Sequence, residues 1–373
     1  MNSLFFELIQ VSLHKRDCLS HIPLPEEWSI LYRLAEGQAL VGVCFHGIQL
    51  LEEQKQLIYI PASLKMQWIA SVLQIQQKNK TIEVHCKELS ESIGKDGYES
   101  CLLKGQAFAN RYPFPLNQYR QPGDIDMWMI AEPKEAIEWA RRTRKMHYYD
   151  YHHADISIFP NTEVELHYRP SISRNLIRNK RLQKWFKGEG KNHIVFNETL
   201  GCRVPDDVFS VILALNHNFW HLLYEGVGLR QMMDLYFILQ NVKEEDRKTI
   251  GVLISHFRLE HFAAASAWVL WHLFDNEKMD SIFVNESTPL PTPNERAGRF
   301  LLEEIMQAGN FGHYDARLKK LNKGNKLQLM FQWAKHTFRL IKYYPADVLW
   351  TPVGILRISL WRRVRYIREK ELK

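Results

Sequence analysis

Residues 104–129, "KGQAFANRYPFPLNQYRQPGDIDMWM", decide how this chain is read. A Lys-Gly pair closes a short apolar run, and a Pro-rich basic loop follows. Asp124 and Asp126 then stand one residue apart inside an apolar segment. That segment, "DIDMWMI" (124–130), has the alternation and branching of a strand, in which successive side chains point to opposite faces. Asp124 and Asp126 therefore share one face, and Ile125 and Met127 the other. A buried carboxylate without a partner is costly, and two side by side also repel. The pattern asks for positive charge between them.

A second strand, "TEVELHY" (162–168), repeats the device: Glu163, Glu165 and His167 on one face, Val164, Leu166 and Tyr168 on the other. If the two strands are neighbours with polar faces aligned, three or four carboxylates converge. Hard oxygen donors at close quarters suit Mg²⁺, which would relieve the repulsion. An Asp-x-Asp pair plus a third acid can hold two such ions, an arrangement suited to in-line phosphoryl or nucleotidyl transfer. Lys104-Gly105, at the end of the strand "SCLLK" (100–104), adds a point charge and a backbone that a phosphate can approach closely. Either Glu163 or Glu165 can serve as the third acid at this stage.

The set Lys104-Gly105, then Gly123-Asp124-Ile125-Asp126 with Arg120 nearby, then Glu165-Leu166-His167, resembles the nucleotidyltransferases of the polymerase-β-like superfamily. The nearest likeness is to an uncharacterised bacterial family of that superfamily. The stretch "EGVGLRQMMDLYFIL" (225–239) is similar to that family's Gly-Leu-Arg…Asp helix, and the resemblance covers about residues 65–240. It implies an α+β fold, a small mixed-sheet nucleotidyltransferase core flanked by N-terminal helices and a mostly helical C-terminal half. It also implies that Asp124, Asp126 and Glu165 are the catalytic and metal-binding residues, with two Mg²⁺ ions and an NTP donor. Lys104, Gly105, Arg120, Gly123 and Arg230 would hold the nucleotide. Many members of the superfamily carry Gly-Ser where this chain has Lys-Gly-Gln, so the triphosphate is expected to be held differently here.

Composition bounds the rest. The chain has 373 residues, 46% of them hydrophobic and 24% charged, with 11 Trp, enough for a large core without disulfides. Five scattered cysteines with no CxxC pair give neither a disulfide framework nor a zinc knuckle. The N-terminus reads without a secretory signal, and no run of about 18 apolar residues is free of charge. The expectation is a cytoplasmic protein. The net charge of +7 favours anionic ligands without choosing among them.

Three regions are expected: an N-terminal helical region at 1–79, the α+β core at 80–200, and a helical C-terminal domain at 201–373. A long helix is read from Ala62 to about Ile93, with a possible break at "KNKTIEV" (78–84). "KEAIEWARRTRKM" (134–146) reads as an amphipathic helix and "DISIF" (155–159) as a strand. Residues 175–193 read as a basic, loop-rich passage, with "GEGK" (188–191) a mobile loop that lacks the P-loop framework. Helices are expected from Pro205 on, including "KLQLMFQWAKHTFRLIKYY" (326–344).

Other features have plainer readings. Arg230 and Asp234 at i, i+4 suggest an intrahelical ion pair. His217 and His221 at the same spacing suggest a helix-face pair, with no third metal ligand nearby. The basic C-terminus "VGILRISLWRRVRYIREKELK" (353–373) suggests a solvated face, or contact with RNA or an anionic membrane surface, with Trp350, Leu360 and Trp361 used for packing. The acceptor is not named by these residues: a protein side chain, a small molecule, an RNA end and a glycan precursor all remain. Two rival readings also stand. One is a glycosyltransferase using Asp124-x-Asp126, which requires a strand-rich half before the motif. The other is a non-catalytic helical interaction protein with a degenerate nucleotide site.

Overall fold

The computed structural model describes residues 2–56, 58–143, 145–274, 293–315 and 335–371. Four helices precede the first strand: α1 (Asn2–Ser12), α2 (Pro25–Gly37), α3 (Val41–Glu53) and α4 (Ala62–Lys95). Pro25 opens α2, where a missing N–H costs nothing. α4 runs unbroken through 78–84. Its buried residues Trp68, Val72, Ile75, Asn79, Ile82, Cys86, Leu89 and Ile93 alternate three and four apart, so one stripe is buried along the whole helix. Its first half packs into the larger hydrophobic core and its second half into a smaller core under the sheet.

The sheet has the order β1 (Ser100–Leu102), β2 (Ile125–Met129), β5 (Thr162–His167), β4 (His153–Phe159), β3 (Met146–Tyr149). β2 and β5 are parallel, with Asp126 opposite Glu165 and Trp128 opposite His167. β4 is antiparallel to β5, with His153 opposite His167 and Asp155 opposite Glu165. Side chains of registered neighbours share a face. One face thus carries Asp126, Glu165, His167, His153 and Asp155. The other carries Ile125, Met127, Met129, Val164, Leu166 and Ile156, packed in the smaller core with α4 and α7 (Pro133–Thr143). Two short helices, α5 (Gln106–Ala109) and α6 (Leu116–Tyr119), lie between β1 and β2.

Several local expectations are corrected. The helix read to residue 146 stops at Thr143, and Met146–Tyr149 forms the edge strand β3. The passage 175–193 is not loop-rich: α8 spans Leu176–Lys187, followed by a 3₁₀ turn at Glu189–His193. Asn175 caps α8, its Oδ1 accepting from Ile177 N–H (3.1 Å) and Arg178 N–H (3.2 Å), and Leu182, Trp185 and Phe186 anchor it in the core. The basic residues between these anchors hide the helical signal. "GEGK" belongs to this turn, where a Cβ on Gly190 would lie 2.9 Å from the Trp185 carbonyl oxygen. A hairpin of β6 (Ile194–Asn197) and β7 (Cys202–Pro205) follows, crossing residue 200.

The remaining helices are α9 (Asp207–Tyr224), α10 (Leu229–Asn241), α11 (Glu244–His256), α12 (Glu260–Phe274), α13 (Glu295–Ala308) and α14 (Pro345–Glu371). The first part of the helix expected at 326–344 lies outside the described residues. N- and C-terminal helices share the larger core, which runs from Leu4 to Val348. Gln10 donates to the Leu273 carbonyl (3.1 Å). Gln38 donates to that of Ile305 (3.1 Å) and accepts from Leu229 N–H (2.8 Å). All five cysteines are free. Among the described residues no helix is long and apolar enough to cross a membrane.

Candidate active site

The polar sheet face looks into a cavity of about 720 Å³, bounded on the far side by α9, α10 and α14. Asp124 precedes β2 and Asp126 lies within it. With Glu165 each offers a carboxylate oxygen, and these oxygens lie within 4.8 Å of one another. Glu163 shares the face of Glu165 by alternation but is exposed, and the structure brings Glu165 into the cluster.

Two cations hold Asp126. Lys104 Nζ donates to its Oδ1 at 2.7 Å, and His167 Nε2–H donates to the same oxygen at 3.0 Å and to Glu165 Oε2 at 3.1 Å. Burial pushes the Asp126 carboxyl up, but Lys104 and His167 outweigh it and hold the group well below the usual carboxylate range. Burial also pushes His167 down, yet its bonds to Asp126 and Glu165 win and raise it to about 9. At Asp124 the Lys104 charge is outweighed. Burial first, then the charges of Asp126 and Glu165, raise it to about 7. With Asp124 ionised, three carboxylates converge on Lys104 and His167, and the donors they offer are hard oxygens. That donor set fits a divalent cation.

The surrounding loops are built for close approach. Gly105 has φ +61°, a conformation open to glycine, and a Cβ there would lie 3.4 Å from the Asp124 carbonyl oxygen. Asn79, in the middle of α4, pins both loops. Its Nδ2 donates to the carbonyls of Gln118 (2.9 Å) and Arg120 (3.0 Å), and its Oδ1 accepts from Gln106 (3.1 Å). Gly123 faces Arg230, whose Nη1 would be 3.8 Å from a Cβ at that position.

The arginines divide their work. Arg120 is buried in a bidentate pair with Asp234, Nε to Oδ1 at 2.6 Å and Nη2 to Oδ2 at 2.8 Å, and Tyr112 donates to the same carboxylate at 2.7 Å. Asp234 is thus taken by Arg120 across the fold, not by Arg230 one turn away. Arg230 is 6% exposed, donates Nη1–H to the Gln121 carbonyl (3.1 Å), and its Nε is buried without a partner. Burial, then the Arg120 charge, lower its pKa, which marks a cation short of counter-charge.

Sequence reading missed His153, and it gave His217, His221 and the C-terminal helix no place at the site. His153, at the start of β4, shares a face with Asp155, and the alternation of "HADISIF" (153–159) carries that signal. His217 and His221 line the cavity from α9, Lys104 Nζ lying 3.5 Å from His217 Nδ1. α14 forms a wall through Ile355, Ile358, Ser359 and Arg362. Three of its basic residues reach back to the protein: Arg362 pairs with Asp150, Arg365 donates to the Tyr149 carbonyl, and Arg357 donates to that of Ser173 (3.2 Å).

A family model described as an uncharacterised nucleotidyltransferase matches residues 25–275, from α2 to the end of α12. The chain belongs to this nucleotidyltransferase family. The matched span includes both loops, the whole five-stranded sheet and the α9–α10 wall, so those two helices are part of the family unit. Membership supports nucleotidyl transfer as the general activity. No curated protein matches the chain.

Proposed function

We propose that this protein transfers a nucleoside monophosphate from an NTP to a hydroxyl or phosphate acceptor and releases pyrophosphate. The observation that carries this reading is the parallel register of β2 and β5, which places Asp126 opposite Glu165 beside Asp124 and Lys104. Asp124, Asp126 and Glu165 would hold Mg²⁺, two ions by the sequence pattern. Bound there, the metal would neutralise phosphate charge and lower the pKa of an attacking hydroxyl.

The acceptor oxygen forms a bond to the α-phosphorus as the bond to the bridging oxygen of pyrophosphate breaks, in line. Lys104 and the Gly105 backbone lie where the departing phosphates need charge and N–H donors. Arg230 offers its unpartnered Nε from the opposite wall. Arg120 acts through position: its donors are spent on Asp234, so it braces the 120–124 loop. Glu165 completes the carboxylate set and can take the acceptor's proton. The acceptor enters between the sheet and α14, past Tyr151, Trp220 and Ser359. The glycosyltransferase reading is disfavoured because residues 2–95 hold four helices and no strand among the described residues.

Calorimetry of NTP binding with and without Mg²⁺, on the wild type and the D124N/D126N variant, tests this. Mg²⁺-dependent binding lost in a folded variant supports the reading and justifies a screen of acceptors with labelled NTPs. Equal behaviour of the two proteins, or no NTP binding at all, overturns it.

A further inference from the structure

The donors around Glu165 fall into two chemically different sets. On one side stand the oxygens of Asp124 and Asp126. On the other stand two imidazoles, His153 and His167, which with Glu165 form a second group of potential ligands whose donor atoms all lie within 4.8 Å. Glu165 belongs to both.

The orientation of the two rings carries the argument. His167 donates Nδ1–H to the Arg169 carbonyl (3.3 Å), which aims Nε2 at Glu165 Oε2, 3.1 Å away. His153 turns Nε2 toward Asp155 Oδ1 (3.2 Å), and its Nδ1, hydrogen-bonded to His152 Nε2 (2.9 Å), lies 3.6 Å from Glu165 Oε2. Each ring therefore has its outer nitrogen tied to a carbonyl or carboxylate, and each inner nitrogen lies within reach of Glu165 Oε2, His167 Nε2 dividing its contact between that oxygen and Asp126 Oδ1 at 3.0 Å. That outer tie is how histidines that bind metals are oriented and made more basic. Donors bound about 2.1 Å from one ion at tetrahedral or octahedral angles stand roughly 3.0–3.4 Å apart. The His167–Glu165 pair at 3.1 Å is already there, and the His153–Glu165 pair at 3.6 Å would close by a few tenths of an ångström.

A third imidazole adds to the case. His152 Nε2 is 2.9 Å from His153 Nδ1, and its own Nδ1 is buried without a hydrogen-bond partner. The rings of His152, His153 and His167 lie with centroids 4.2–5.6 Å apart, so three imidazoles crowd one side of Glu165.

We infer that His153, His167 and Glu165 form a nitrogen-containing cation site for a borderline divalent ion, Mn²⁺ or Zn²⁺, joined through Glu165 to the all-oxygen site of Asp124 and Asp126. The inference rests on the nucleotidyltransferase reading only for what an ion at the histidines would do. The donors themselves argue against Mg²⁺ in this position, because imidazole prefers softer ions. Binding displaces the Nε2 proton of His167 to solvent and leaves Lys104 as the cation on Asp126.

The test uses the full chain, stripped with a chelator and titrated with Mn²⁺ in a large excess of Mg²⁺, without nucleotide. Pulsed electron paramagnetic resonance then looks for ¹⁴N coupling to the bound Mn²⁺. The expected result is a ¹⁴N-coupled ion that Mg²⁺ does not displace, whose affinity falls roughly tenfold or more in H153A and H153N. D124N, which leaves both imidazoles in place, should retain the coupling. Mn²⁺ that binds without ¹⁴N coupling and is displaced by Mg²⁺ overturns the inference and leaves the proposed transferase intact. Failure of the chain to bind Mn²⁺ at all overturns it as well. A ¹⁴N-coupled ion in a protein that binds no NTP upholds the inference and sinks the transferase reading instead. A wild-type spectrum without ¹⁴N coupling overturns the inference even if the histidine variants fail to fold.

Discussion

Ionising Asp124 in the folded chain adds a negative charge beside Asp126 and Glu165 in a site shielded from water. Its pKa is raised from 3.8 to about 7, so the stability associated with the protonated form is complete below about 3.8 and is lost as pH rises through 7. At pH 8 without divalent ions, D124N should therefore stabilise the protein, by roughly 2–4 kcal/mol at most, while removing Mg²⁺-dependent NTP binding. Thermal melts at pH 5 and 8 check this: the gain must be larger at pH 8. His167 gives a second pH dependence. Its pKa rises from 6.5 to about 9, so its contribution is complete below about 6.5 and fades as pH passes 9. H167Q should cost on the order of 3 kcal/mol more at pH 6 than at pH 10, read from urea denaturation. A cost that does not vary with pH would mean that the imidazolium is not held by Asp126 and Glu165.

At the scale of elements, α4 positions both substrate-facing loops through one polar residue in its buried stripe. Removing the Asn79 side chain leaves the Gln118 and Arg120 carbonyls without its amide and takes one acceptor from Gln106, at about 1–3 kcal/mol. N79A should weaken Mg²⁺·NTP binding though it touches no ligand, and calorimetry beside a urea melt separates the two losses. Much at this scale was legible beforehand. The two-residue period gave β2 and β5 and their polar faces, and the alternating three- and four-residue spacing gave α4. α8 and β3 were not legible: basic side chains masked the first, and the second is a four-residue edge strand whose pairing with β4 no local pattern announces.

For the whole molecule, α14 matters more than its charge run suggested. Asp347 takes Arg178 of α8 in a buried pair, Nη2 to Oδ2 at 3.1 Å, and the helix then crosses the sheet edge to wall the cavity. D347A would leave Arg178 buried and uncompensated, which typically costs about 3–5 kcal/mol. Urea denaturation should show that loss. NTP binding should also weaken as the wall loosens, and unchanged binding would mean that α14 is not part of the nucleotide or acceptor site.

What the sequence determined by itself is local. Alternation within a strand forces Asp124 with Asp126, and Glu165 with His167, onto common faces, and a Gly after Lys104 permits the tight turn at the cavity floor. These consequences follow from backbone geometry over a few residues. Only the tertiary structure decided which faces meet. It set Glu165 rather than Glu163 against Asp126, brought His153 beside His167, and gave Asp234 to Arg120 instead of Arg230. It also folded the basic C-terminus back over the sheet. Each of those outcomes depends on strand register and core packing between segments far apart in the chain, where burial of apolar faces selects the partner and the polar groups must satisfy one another with what that packing leaves within reach.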